Sequence, residues 1–202
     1  MSDSARETIF ASLRTALPES SPLPDLPASG PWQTFSDSFA RFCEVLEAVG
    51  GRCQRVATLH EAHRQLNTIS EWADAKVRVS VVEGVGDSTV DLDAIDDPHD
   101  LENVDYAVLR GHFGVAENGA IWVTDDTVKH RVLYFLPQRL AIVVPSSQIV
   151  HNMHEAYDRI VVNKHAYAGF ISGPSKTADI EQSLVIGAHG ARALTVFAVD
   201  EL

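Results

Sequence analysis

Apolar positions along this 202-residue chain follow two periods, and the alternation between them predicts its elements. Ile9, Phe10, Leu13, Ala16 and Leu17 share one face at helical spacing, and Ser4 with Glu7 makes a capping-box pattern. Residues 4–17 are therefore predicted to be an amphipathic helix. Five of the nine prolines then fall between Pro18 and Pro31. Proline lacks the N–H that helices and ladders need, so this stretch is expected to be an extended connector. The organisation that follows is a helical arm (1–17), a Pro-rich connector (18–33) and a domain over 34–202.

Within that domain the two periods take turns. Phe35, Phe39, Phe42, Leu46 and Val49 fall at helical spacing, and Gly50-Gly51 stops the helix. Residues 52–57 follow as a strand. Thr58 with Glu61 opens a capped helix expected to run to about Ala73. Residues 77–82, 106–109 and 120–124 are strand-like. Leu140 to Val144 is an almost unbroken apolar run of the kind buried on both faces of a sheet. A long helix is expected from about Ser147 to Val162, then a strand over 169–172, a helix from Thr177 and a strand over 194–199. Strands alternating with helices imply an α/β fold, an open and mostly parallel sheet with helices on both faces.

Charge narrows the partners. The formal net charge is −12 and the pI about 5.0, which repels nucleic acid and anionic membrane surfaces. No run approaches the roughly 18 apolar residues of a membrane span. Met1-Ser2-Asp3-Ser4 lacks the basic and apolar regions of a secretory signal, so a cytoplasmic location is expected. Nine acids and no Lys or Arg occupy the interval from Ser80 to Leu109, which is read as a solvated excursion. The two cysteines, Cys43 and Cys53, are too few for an iron–sulfur cluster. They are expected to be small buried hydrophobes without a disulfide between them.

Three segments carry candidate chemistry. In the first, Ile171 runs into Ser172, Gly173, Pro174, Ser175, Lys176 and Thr177. A Gly-containing turn opening a helix, with two hydroxyls and a cation, makes an anion site. It lacks Walker A spacing, and the competing reading is a capped turn with Lys176 in solvent. In the second, Asn118-Gly119 is a tight-turn signal that would place Glu117 at a strand end on the sheet rim. A carboxylate there serves as base, nucleophile or orienting acceptor, or is simply an exposed turn residue. In the third, Gly187 to Arg192 is expected just past a helix, where His189 and Arg192 either reach a cleft or cap carbonyls. Two HxxH pairs, His60/His63 and His151/His154, do not match a known zinc pattern, and no metal site is assigned. Gly84-Val85-Gly86 lacks the third glycine of a dinucleotide loop and is set aside.

The turn Ala116-Glu117-Asn118-Gly119, the pair Leu136-Pro137, the block SGPSKTADIE at 172–181 and GAHGAR at 187–192 resemble the LUD-domain family, in its lactate utilisation protein C group. The resemblance covers most of the chain after the connector. It departs at Lys176, commonly Arg in the family, and at Ala191, commonly Pro. What it implies is an open α/β fold similar to that of ribose-phosphate isomerases and CoA transferases. It further implies a non-iron–sulfur accessory subunit in the oxidation of L-lactate to pyruvate. Iron–sulfur clusters would lie in partner proteins, and this chain would carry no cofactor. The expected site holds a small anionic ligand with Ser172, Gly173, Ser175, Lys176, Thr177, Asn118, Gly119, His189 and Arg192, beside Glu117. The alternatives are a CoA-transferase-like enzyme with Glu117 as nucleophile, and an assembly subunit whose arm docks a partner.

Overall fold

The computed structural model describes residues 3–18, 21–22, 30–161, 164–178, 184–187 and 189–202. The chain divides into two units, Met1–Pro31 and Trp32–Leu202. In the first, helix α1 spans Asp3–Ala16. Most of the Pro-rich connector lies outside the described residues.

In the second unit, α2 (Ser38–Ala48) begins where the Asp37 side chain accepts from Ala40 N at 2.9 Å, a helix N-cap. It ends at Gly50, whose φ of +92° is open to glycine at little cost. Strand β1 (Arg52–Thr58) leads into α3 (Leu59–Leu66), where the Thr58 hydroxyl accepts from Glu61 N and Glu61 Oε2 accepts from Ala57 N. The helix expected to reach Ala73 breaks after Leu66 and resumes as the single turn α4 (Ser70–Ala73). Asn67 ties that break, taking the Trp72 indole N–H on its side-chain oxygen.

Strands β2 (Arg78–Ser80), β3 (Tyr106–Arg110), β6 (Arg139–Pro145) and β11 (Ala193–Glu201) join β1 in one sheet of order β1-β11-β6-β3-β2, with every pair parallel. Its core is two-sided because successive strand residues point to opposite faces. Leu140, Ile142 and Val144 face one layer with Phe42 and Leu46 of α2, while Ala141 and Val143 face the other with Ala62, Leu66 and Trp72.

The expected single series of strands is in fact two sheets. Strands β4 (Phe113–Val115), β5 (Ala120–Thr124), β7 (Ile149–Val150) and β8 (Ala168–Ile171) form a second sheet of order β7-β4-β5-β8. Its Ile121 and Val123 share the α2 layer of the main core, and Phe113, Val115 and Val150 pack outward with Ala156 of α5 (Met153–Arg159). The long helix expected over 147–162 is replaced by β7 and this short α5. Ile149 and Val150 pair with β4, and the Asn152 side chain accepts from Glu155 N to start the helix late.

The helix expected from Thr177 is replaced as well. β9 (Lys176–Ala178) pairs antiparallel with β10 (Leu184–Ile186), so GAHGAR follows a strand and not a helix. Residues 179–183 lie outside the described residues.

Cys43 and Cys53 were expected to stay unbridged, but they form a disulfide, their Cα atoms 5.3 Å apart. The turn at Gly50-Gly51 folds the end of α2 back on β1 and brings the two positions within bridging distance.

Several acids of the 83–105 excursion are structural. Asp91 and Asp97 cap short 3-10 turns through Asp93 N and His99 N, and Asp105 Oδ2 accepts from Lys76 N and Val77 N. Among the described residues no helix is long and apolar enough to cross a membrane.

Candidate functional site

Five of the sequence-selected residues share one cavity. Ser172, Gly173, Ser175, Lys176 and His189 line a space of about 370 Å³, walled by Tyr134, Phe135 and Phe170. The loop leaves β8 at Ile171 and turns at Gly173, where φ is +70° and a Cβ would lie 2.9 Å from Val49 O. Ser175 N then donates to Ala191 O at 2.8 Å, and Gly187 N donates to Ser175 O at 3.0 Å. These bonds seat the 187–191 segment against the loop and bring His189 to the same space. Among the described residues this cavity has one fixed cation, one histidine and no carboxylate.

The physical basis differs from the expected one. With Thr177 in a strand, no helix start among the described residues offers its N–H groups here, so an anion would depend on Lys176 and the loop itself. Lys176 also has a structural neighbour, since a Cβ built on Gly50 would lie 3.7 Å from its Nζ. The ammonium therefore sits beside the C-terminal end of α2, where a helix dipole favours a cation.

The remaining selected residues lie elsewhere. Thr177 and Arg192 are not among the lining residues. The Asn118-Gly119 turn connects β4 to β5, an antiparallel hairpin of the second sheet, so Glu117 is not at the carboxyl rim of the parallel sheet. Gly119 has φ +64° and presses on α2, and Asn118 O accepts from the Ser172 hydroxyl at 2.8 Å. Glu117 is exposed, and its Oε2 accepts from Met153 N at 2.9 Å, occupying a free N–H at the start of α5.

Three of the four HxxH histidines have structural partners, and His60 is exposed. His63 accepts from Gly86 N on Nδ1 and meets Asn67 Nδ2 through Nε2 at 2.9 Å. His151 Nδ1 accepts from Phe35 N, and His154 stacks on Trp32 with centroids 3.5 Å apart.

A second constellation escaped the sequence reading. His112, Thr124, Asp126, Arg159, Lys164 and His165 line another cavity, of about 320 Å³. His112 Nε2 lies 2.7 Å from Thr124 Oγ1 and 3.2 Å from Asp126 Oδ1, and the Thr124 hydroxyl donates to the same carboxylate oxygen. Burial pushes the Asp126 carboxyl up, but the Thr124 hydroxyl and the nearby His112 and His165 outweigh it and hold it below its ordinary value. Tyr134, half-way along the β5 exit, donates its hydroxyl to Thr124 O, and burial raises its own pKa. One signal for part of this cluster was present: with Asn118-Gly119 as the turn, antiparallel register brings residue 112 close to residue 124. Arg159, Ile160, Val161, Lys164 and His165 reach the cavity only through the return of the chain to β8.

A family model described as LUD domain matches residues 89–199. "Lactate utilization protein C" of Bacillus pumilus is 36% identical over 107 residues, 50% of this chain and 45% of that protein. "Lactate utilization protein C 1" of Bacillus mycoides is 30% identical over 124 residues, 58% of this chain and 50% of that one. The chain thus spans about half the length of the curated relatives it matches. A crystal structure of a DUF162 family protein from Deinococcus radiodurans superposes with a TM-score of 0.59 over 81% of this chain and 97% of that one, at 16% identity. That likeness is one of fold.

Proposed function

The chain belongs to the LUD-domain family, and from that premise we propose that it serves lactate utilisation as a subunit binding a small anionic ligand in the 172–176 cavity. In this reading it carries no redox centre, and iron–sulfur partner proteins supply electron transfer in oxidising L-lactate to pyruvate. The support for a lactate role is the name shared by its relatives. The observation that carries the ligand is the charge of the cavity: Lys176 and His189 without a described carboxylate, in a protein of net charge −12. Lys176 and His189 are exposed beside the aromatic wall of Tyr134, Phe135 and Phe170, so the attraction is that of a solvated cation, weakened by salt.

The chemistry available to these residues is recognition. The Lys176 ammonium provides a point charge, while the hydroxyl of Ser175 and the imidazole of His189 provide directional hydrogen bonds. The CoA-transferase alternative is weakened by the capping bond of Glu117 to α5, which occupies one oxygen of the proposed nucleophile.

The test is L-lactate oxidation in cells lacking only this chain, restored with the wild-type chain or with Lys176→Met. The wild type is expected to rescue oxidation and Lys176→Met to fail while still being present as folded protein. Rescue by Lys176→Met would remove the site from the proposal, and unimpaired oxidation without the chain would remove the lactate role.

A further inference from the structure

The second cavity has a charge balance that its neighbours do not explain. Arg159 and Lys164 both line it, and among the described residues neither is paired with a carboxylate. Arg159 instead donates to the neutral Gln148 Oε1 at 3.0 Å and lies over the Phe113 ring at 5.7 Å. The one carboxylate on the wall, Asp126, is already taken by the Thr124 hydroxyl and by His112. Two cations therefore line this space against the single carboxylate of Asp126, in a chain whose net charge is −12. Both side chains are exposed, and an excess of cations over carboxylates at one open cavity favours an anion there.

The cavity also continues into apolar surface. A second space of about 360 Å³ shares Trp122, Ile160, Val161 and His165 with it and extends along Tyr157 and Phe170. Trp122 and Phe170 are cross-strand partners with ring centroids 4.8 Å apart, so they present a continuous aromatic wall. A half-buried aromatic wall leading from a cationic pocket is the profile of an amphiphilic acid site.

We propose that these two adjoining spaces form one binding site for an organic carboxylate with an apolar body. Its carboxylate lies against Arg159 and Lys164, and its body lies along Trp122 and Phe170. Arg159 is pre-set for this role by Gln148 and the Phe113 face, which hold its guanidinium and reduce the entropy lost on binding. Among the described residues this site shares Phe170 alone with the Lys176 cavity, and it does not rest on the lactate reading.

Calorimetric titration of the full chain with 3-phenylpropionate, acetate and inorganic phosphate tests it. Saturable binding of 3-phenylpropionate is expected, at least tenfold tighter than acetate, because an aromatic body buries apolar area that acetate lacks. Lys164→Met, at an exposed position outside helix and strand, is expected to weaken it about tenfold, as is Arg159→Met, with thermal melts confirming that each variant folds. Lys176→Met is expected to leave it unchanged. Absence of saturable binding, equal affinity for acetate, or preference for phosphate would overturn the proposal. So would undiminished binding in both Arg159 and Lys164 variants, or loss of binding in Lys176→Met, which would move the ligand to the other cavity.

Discussion

Gly119→Ala separates a turn whose shape is set by packing from one whose purpose is to aim Glu117. Two costs are legible at this position. The backbone there has φ +64°, a conformation that costs an alanine about 1 kcal/mol relative to glycine. The added Cβ would also lie 2.8 Å from Leu46 N and 3.0 Å from Leu46 Cα. Those atoms are backbone of α2, anchored by the fully buried Leu46 side chain, and no rotamer change moves them away. Optimal carbon contacts are about 3.5–4.0 Å, so the turn and helix must part by more than half an ångström, an overpacking cost of about 1–3 kcal/mol. The sum is about 2–4 kcal/mol, and its midpoint lowers Tm by roughly 6–12 °C in a protein of this size. Gly84→Ala supplies the control. Its φ is +78°, but a Cβ there meets nothing within 4 Å, so only the backbone cost of about 1 kcal/mol remains, roughly 2–4 °C. Thermal unfolding of the two variants beside the wild type decides the matter. Equal losses for both would refute the contact between turn and helix on which this reasoning stands.

Three further perturbations follow from named contacts. Glu117→Ala should cost about 0.5–1 kcal/mol by removing the acceptor for Met153 N, and Glu117→Gln should cost less because its carbonyl still accepts. Urea unfolding reads the difference, and equal losses would discount the cap. Thiol titration of denatured protein should find no free thiol before reduction and two after, given the Cys43–Cys53 bridge. Reduction removes the constraint on a loop with a sequence separation of 10 and should cost about 2.5–3 kcal/mol, with an unchanged Tm in reductant counting against the bridge. Asp126 has a folded pKa held below its unfolded value, so its contribution is present above the ordinary carboxylate range and is lost as pH falls through the lowered value. Asp126→Asn should therefore be less stable than wild type at pH 7, with the gap closing as pH drops below about 3.9. A gap that stays constant down to pH 3 would refute that linkage.

Local signals in the sequence were enough to determine the elements whose cause is itself local. The Gly50-Gly51 stop after α2, the Thr58–Glu61 cap of α3 and the unbroken apolar run of β6 each read correctly, because capping, glycine geometry and two-sided burial act within a few residues. The α/β class followed from their alternation, and the residue blocks at 116–119, 172–181 and 187–192 pointed to the family before any coordinate was known.

Tertiary structure decided what depended on distant partners. Ile149 and Val150 fit a helical period, yet β4 captured them as an edge strand. Thr177 stood after a plausible turn, yet pairing with Val185 made it a strand and removed the helix start from the anion site. Cys43 and Cys53 met because a helix and the next strand fold back on each other. The same holds for function. Ser172, Lys176 and His189 share a cavity that Glu117 does not enter, and His112, Asp126, Arg159 and Lys164 converge from segments up to 52 residues apart. Periodicity reports which face of an element is apolar. It carries no information on which distant element covers that face, and it is that choice, made by burial across the whole chain, that assembles a site.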